Sequence, residues 1–465
     1  MAYDLIVVGA GPGGYVAAVR AAQLGLKVAC VERENRLGGV CLNVGCIPSK
    51  ALLDSSEYYQ LVKDRLAEHG IQTGKAEFDL KTMMARKEKV VEDLTTNVRK
   101  LLEGQKIDII HGTGSLAGAD RLEVVIGAAG SRKAERQTLQ AKAILLATGS
   151  RSLSIPGMDF DGKRLINSTQ ALSLDSVPKH LGIIGGGYIG LELGSVWLRL
   201  GSRVTVIEML PKIAGNLDGT VSRKLQGVLK RQGLTFLMKT RAAGVVVKKN
   251  GVSVKLEGGT KQDSLDCDRL LVCVGRRALT DGLRLEEVGV KIDAATGCVV
   301  VDTHYRTSVP SIYAIGDLIP GPMLAHKASA EGIAAAEIIA GRPAEVNYDA
   351  IPSIVYTWPQ VASVGLSEDQ VKERSIPYRT GSYPFAGSGR ARCLGETEGF
   401  VKVIAHEKTD RILGVHILGP RAEDLIAECV LAMEFGASAE DIARTVHAHP
   451  TLSETLMEAA AAVPK

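Results

Sequence analysis

Residues 4–14 read Asp4-Leu5-Ile6-Val7-Val8-Gly9-Ala10-Gly11-Pro12-Gly13-Gly14, and residues 180–190 repeat the pattern as His180-Leu181-Gly182-Ile183-Ile184-Gly185-Gly186-Gly187-Tyr188-Ile189-Gly190. The match continues without a gap, with Gly25 aligning on Gly201 and Glu32 on Glu208. Each copy reads as a buried strand, a Gly-x-Gly-x-x-Gly turn, a helix, and a second strand ending in glutamate. A single such turn is weak evidence, because glycines also serve ordinary tight turns. Two of them, each after a strand, before a helix and equally far upstream of an acid, mark dinucleotide-binding units. Gly9 and Gly185 permit the turn, Gly11 and Gly187 let backbone approach a pyrophosphate, and Gly14 and Gly190 allow close helix-to-strand packing. The helix N-terminus then offers phosphates its partial positive charge and N–H groups. Glu32 and Glu208 would accept hydrogen bonds from ribose hydroxyls and repel a 2′-phosphate, and Lys212 is too little to reverse that preference.

The fold class that follows is α/β, with two doubly wound dinucleotide-binding domains, one inserted in the other. In the second copy Ile189, Leu193, Val196 or Trp197, and Leu200 recur at helical spacing, and Gly201 sits where a left-handed cap is expected. Segments ending Ala147-Thr148-Gly149 and Val274-Gly275-Arg276 read as later strands of the two sheets. The expected division is 1–150 for the first domain, 151–275 for the inserted one, 276–345 for a central part completing the first site, and 346–465 for an interface domain. Strands at 401–404 and 412–418 followed by helices from Ala422 give that last part an α+β texture suited to burying a subunit interface. Between Leu80 and Leu102, Met84, Val91, Leu94, Val98 and Leu101 keep helical spacing among many charges. They predict a long amphipathic helix packed on its own domain.

Composition narrows the partners. The 465 residues include 51 glycines and 16 prolines, with 45% apolar side chains, which suits packed cores and many tight turns. A charge of +4, from 56 basic against 52 acidic groups, leaves no strong field for nucleic acid or anionic lipid. No apolar run approaches the roughly 18 residues of a membrane span. Met1-Ala2-Tyr3-Asp4 enters a strand without a basic leader, so a soluble, cytoplasmic chain is expected. Eight cysteines are scattered except for Cys41 and Cys46, which is no secreted disulfide framework.

That pair lies in Gly38-Gly39-Val40-Cys41-Leu42-Asn43-Val44-Gly45-Cys46-Ile47-Pro48-Ser49-Lys50. In a continuous helix, residues five apart rise about 7.5 Å and face different sides, so one cysteine must precede the helix. Gly45 suits an irregular turn and Pro48 a first helical turn, which puts Cys46 near a helix N-terminus that favours thiolate. Lys50, one turn on, adds positive charge to the same face. Zinc is the rival ligand, but it needs two further donors and no second close cysteine pair exists.

With two dinucleotide turns and this cysteine pair, the chain resembles the pyridine nucleotide-disulfide oxidoreductases over nearly its whole length. Cys41 to Lys50, Gly316-Asp317, Gly321-Pro322-Met323-Leu324-Ala325-His326-Lys327-Ala328 and His447-Ala448-His449-Pro450-Thr451-Leu452-Ser453-Glu454 are most similar to the branch that oxidises protein-bound dihydrolipoamide. The resemblance implies FAD in the first fold, held by Gly9, Gly11, Gly14, Glu32, Lys50, Thr148, Gly149, Gly316, Asp317 and Met323 to His326. It implies NAD in the second, held by Gly185, Gly187, Tyr188, Ile189, Gly190, Glu208 and Gly275. Cys41 and Cys46 become a redox-active disulfide, Glu192 pairs with Lys50 near the nicotinamide, and His449, oriented by Glu454, is the base. No metal is implied.

Each role has a plainer competitor. Asp317 could serve an ordinary turn, Glu192 could complement a helix dipole in a first turn, and Thr451 to Glu454 fits a capping box. A lone histidine is often structural, yet thiol exchange needs a proton acceptor tuned near neutrality. The resemblance further implies a homodimer in which His449 of one subunit serves the disulfide of the other, while sequence alone leaves cis and trans open. The implied partner is the lipoyl domain of a 2-oxoacid dehydrogenase or glycine-cleavage complex. Glutathione or mercuric reductases are the alternative, opposed by Glu208 and by a terminus without a cysteine pair. A flavin-bearing subunit without turnover is opposed by the presence of Cys41, Cys46 and His449.

Overall fold

The strand Ala2–Val8 buries Leu5, Ile6, Val7 and Val8 on both faces, as an uninterrupted apolar run in a parallel sheet must. The computed structural model describes residues 2–127 and 135–464; Met1 and Lys465, at the ends of the expected first and last domains, lie outside them. Val28–Glu32 pairs parallel to one side of Ala2–Val8 and Glu135–Leu146 to the other, with Asp108–His111 beyond Val28–Glu32. The far edge of Glu135–Leu146 is shared between an antiparallel hairpin through Arg121–Ile126 and the short parallel strand Ile312–Ala314. A segment distant in sequence thereby completes the first sheet.

The chain forms two compact units: residues 1–51, 81–153 and 275–346 in one, residues 52–80, 154–274 and 347–465 in the other. Residues 275–346 therefore share a core with the first nucleotide fold, with Ala314 and Ile315 buried beside Leu145 and Leu146. The second unit holds the repeat. His180–Ile184, Arg203–Glu208, Thr235–Met238, Arg269–Val272 and Leu165–Ile166 make a five-stranded sheet whose pairings are all parallel.

The same unit contains an antiparallel sheet in the order Ser353–Val355, Gln360–Gly365, Ile412–Gly419, Phe400–His406 and Tyr378–Pro384. The helices Ala422–Glu434, Ala439–Arg444 and Glu454–Ala461 cover it, burying Val403, Ile417, Ile426, Cys429 and Leu456. This is the α+β texture expected after residue 345.

The long helix spans Leu80–Gly104 and buries Lys87, Val91, Thr95, Val98 and Leu102. Leu101, expected on the inner stripe, is 43% exposed. The buried positions advance by four, four, three and four residues, which carries the stripe to Leu102. Among the described residues no helix is long and apolar enough to cross a membrane.

Candidate active site

Both glycine turns show the stereochemistry their spacing requires. Gly9 and Gly185 take φ of +103° and +107°, where a side chain would be strained. A Cβ on Gly14 would lie 1.8 Å from the Gly9 carbonyl oxygen, and one on Gly190 2.3 Å from that of Gly185. Helices Pro12–Gln23 and Tyr188–Arg199 start from Gly11 and Gly187, neither of which caps with a side chain. Their first N–H groups are thus suited to an anionic ligand.

The two acids share one geometry. Glu32 accepts the N–H of Ala10 at 2.8 Å and of Glu34 at 3.0 Å, while Glu208 accepts those of Gly186 at 2.7 Å and Leu210 at 2.7 Å. Each carboxylate pins its loop, and its remaining lone pairs can take hydroxyl donors. These features fit a dinucleotide with a free ribose 2′-hydroxyl in either fold.

Cys41 lies in the short helix Gly39–Val44, and Cys46 opens Cys46–Asp64. The break falls at Gly45, where a Cβ would sit 2.9 Å from the Val40 carbonyl oxygen. Across that break the two cysteine side chains come within hydrogen-bond reach. The hydrogen bond to Cys46, burial and the charge of Cys46 all push the Cys41 thiol up, against a smaller opposing effect of Lys50. That direction disfavours a thiolate on Cys41, while Cys46 is exposed at a helix N-terminus, a setting that favours one.

Around the other predicted contacts of the first fold, Gly316 takes φ of +70° and Gly149 +75°. Thr148 directs its hydroxyl to the Leu279 carbonyl at 2.7 Å. The Asp317 carboxylate accepts the Ser150 hydroxyl, and Arg276 donates to both Ser150 Oγ and its carbonyl at 2.7 Å. Sequence reading missed this role of Ser150 and Arg276, for neither carries a local motif. The helix expected after Met323 starts at Ala325, from an N-cap at Leu324, with His326 exposed in its first turn.

In the second unit Glu192 belongs to the second turn of Tyr188–Arg199, so complementing a first-turn dipole is not its role. It is buried and accepts the Tyr356 N–H at 3.1 Å, a contact nothing in the sequence announces. Tyr188 is half-buried and its hydroxyl accepts from Ser353 at 3.3 Å, Ile189 follows it in the first turn, and Gly275 of the first unit has φ of +135°.

His449 is 79% exposed on its side chain, and its Nδ1 lies 2.8 Å from Glu454 Oε1. A carboxylate only accepts, so Nδ1 carries the hydrogen and Nε2 is left able to take a proton. Glu454 Oε2 accepts the Thr451 N–H at 2.8 Å. The reciprocal half of the expected capping box is absent, because the Thr451 hydroxyl donates to Ala448 and the helix starts from Ser453. The His447 side chain is buried, with Nδ1 2.7 Å from the Thr445 carbonyl and Nε2 2.8 Å from Glu428 Oε1, so neither ring nitrogen is open to a substrate. Among the described residues no cluster of three or more His, Cys, Asp or Glu could hold a metal.

The family model described as pyridine nucleotide-disulphide oxidoreductase matches residues 3–332, and its dimerisation-domain companion matches residues 351–460. The chain belongs to this family. Among curated members, mitochondrial dihydrolipoyl dehydrogenase of Dictyostelium discoideum is 49% identical over 98% of this chain and 93% of its own. Leghemoglobin reductase of Glycine max is 46% identical over 99% and 87%. Among solved members, the HOCl-induced flavoprotein disulfide reductase RclA from Escherichia coli superposes with a TM-score of 0.86 at 26% identity, covering 99% of this chain and 100% of that one. Family membership accords with the paired nucleotide folds and with the dimerisation domain at the C-terminus.

Proposed function

We infer that the chain is a dihydrolipoyl dehydrogenase: it oxidises protein-bound dihydrolipoamide to lipoamide and reduces NAD to NADH. The observation that carries this reading is the Cys41–Cys46 contact across Gly45, a thiol pair made by the backbone itself. Nearly half of all residues are shared with curated dihydrolipoyl dehydrogenases along the whole chain, which supports it.

In the oxidised enzyme Cys41 and Cys46 form a disulfide. His449 Nε2 removes a proton from one substrate thiol, and the resulting thiolate attacks Cys41 Sγ, breaking the bond to Cys46. Cys46 leaves as a thiolate. The second substrate sulfur, after losing its own proton, attacks the sulfur joined to Cys41 and closes the lipoyl ring as Cys41 departs. Two electrons have then moved from substrate to the cysteine pair, and two protons have been released. FAD bound in the first fold supplies a two-electron relay from that pair to NAD in the second.

Glu32 and Glu208 select the two ribose hydroxyls, and Gly9, Gly11, Gly14, Gly185, Gly187 and Gly190 leave backbone donors open to the phosphates. Lys50 and Glu192 are assigned to the nicotinamide side, and Asp317 to the flavin's ribityl chain. The active enzyme is read as a homodimer in which His449 serves the cysteine pair of the other subunit. Its partner is a lipoyl domain and its setting the cytoplasm.

The test compares NAD-dependent oxidation of dihydrolipoamide with NADPH-dependent reduction of glutathione disulfide by the purified protein. We expect the first to dominate, with a long-wavelength thiolate-to-flavin band on partial reduction. A protein that takes up no FAD, or that prefers the second reaction, refutes the reading.

A further inference from the structure

Lys327 and Glu331 stand one turn apart on Ala325–Ile339, among Ala328, Gly332, Ala334, Ala335 and Ala336 on its buried side. Their side chains are 1% and 0% exposed and paired at 2.9 Å. Taking an ion pair out of water costs several kcal/mol per ion, and well-packed apolar residues of similar volume often do as well or better for the fold. The pair does something an apolar pair could not. Glu331 Oε2 accepts the N–H of Gly316 at 2.7 Å, and Lys327 Nζ donates to the carbonyl of that same residue at 3.2 Å. Both backbone polar groups of one glycine are thus gripped by one helix turn. Gly316 is already turned left-handed, and a Cβ there would lie 3.1 Å from that of Ala328.

The residue that follows is Asp317. Its backbone direction is set by the grip on Gly316, and its carboxylate is steadied by Ser150 and, through Ser150, by Arg276. We propose that Lys327 and Glu331 are positioning residues that fix the Gly316 backbone and so aim the Asp317 carboxylate at the ribityl hydroxyls of FAD. This rests on the reading of the first fold as the FAD site.

The test uses apoprotein titrated with FAD and followed by flavin fluorescence, with visible circular dichroism of the bound flavin and the melting temperature of the apoprotein measured alongside. The variant Lys327→Met/Glu331→Met removes both charges at similar volume. We expect its apoprotein still to fold but to melt lower than the parent, because the buried N–H and carbonyl of Gly316 lose their partners, its FAD affinity to fall about tenfold, the loss of a misdirected hydrogen bond to a charged group, and its flavin dichroism to change. In an Asp317→Ala background the same double change should have almost no further effect on affinity, because the grip acts through Asp317. Parent-like affinity and dichroism in the double variant overturn the proposal, as does a full additive loss on top of Asp317→Ala. Should the double variant not fold, Lys327→Met alone is held to the same outcomes. If the parent chain itself takes no FAD, the functional reading fails and this proposal with it; if only the variant comparison fails, that reading stands.

Discussion

Glu454 divides its two carboxylate oxygens between His449 and the Thr451 N–H, so holding the proposed base and holding the turn before the last helix are one arrangement. Sequence reading set these roles against each other, because local spacing cannot show that one side chain reaches both. A glutamine must turn its NH2 toward one of two donors. Glu454→Gln should lower kcat about 10- to 100-fold, part of the roughly 100- to 10,000-fold weight of the general base it orients, and shift the melting temperature by less than about 2 °C. Steady-state turnover of dihydrolipoamide beside calorimetry checks this. Unchanged kcat would confine Glu454 to the Thr451 bond. The two nucleotide acids were legible for a different reason: Glu32 and Glu208 sit at equal distances from their glycines, and that distance is a property of one strand, turn and helix.

At the scale of elements, the helix Gly219–Arg231 and the strand Phe400–His406 meet through a buried charge cluster. Asp218 caps the helix by accepting the Thr220 N–H at 2.9 Å and pairs with Lys402 at 2.9 Å, while Lys402 also reaches Glu368 at 2.6 Å. Burial pushes the Asp218 carboxyl up, but Lys402, His416 and the Glu368 N–H outweigh it and leave it at about 2. Lys372, then Lys402, lower Glu368 to about 2. Both folded values lie below the ordinary carboxylate range, so the unfolded chain binds protons first as acid is added. The stabilisation is complete above that range and is lost as the pH falls toward about 2. The urea midpoint should therefore fall steadily from pH ~4 to pH ~2. Asp218→Asn should flatten that slope and cost about 1–3 kcal/mol near neutrality, since Lys402 then keeps only Glu368. An unaltered slope in the variant refutes the assignment. No spacing rule could reveal this cluster, as Asp218, Glu368 and Lys402 come from three separate stretches of chain.

For the whole molecule, the proposed sharing of His449 between subunits makes a prediction no single chain can. Homodimers of Cys41→Ser and of His449→Gln should each be nearly inactive. Refolded together, they should recover about a quarter of parent activity, because half the dimers then contain one complete site of two. Recovery of none would mean that His449 serves its own subunit. The sequence by itself determined the two nucleotide folds, their preference for an unphosphorylated ribose and the reactive cysteine pair, since each is written in contiguous residues whose spacing obeys backbone geometry. Only tertiary structure decided that Ile312–Ala314 closes the first sheet, that Ser150 and Arg276 steady Asp317, that Tyr356 engages Glu192, and that Lys327 and Glu331 grip Gly316. Most of these pairings join segments far apart in the chain, and even Lys327 and Glu331, a legible helical pair, disclose their target only once the chain has folded. Such contacts arise from burial of polar groups that must find partners wherever the fold delivers them.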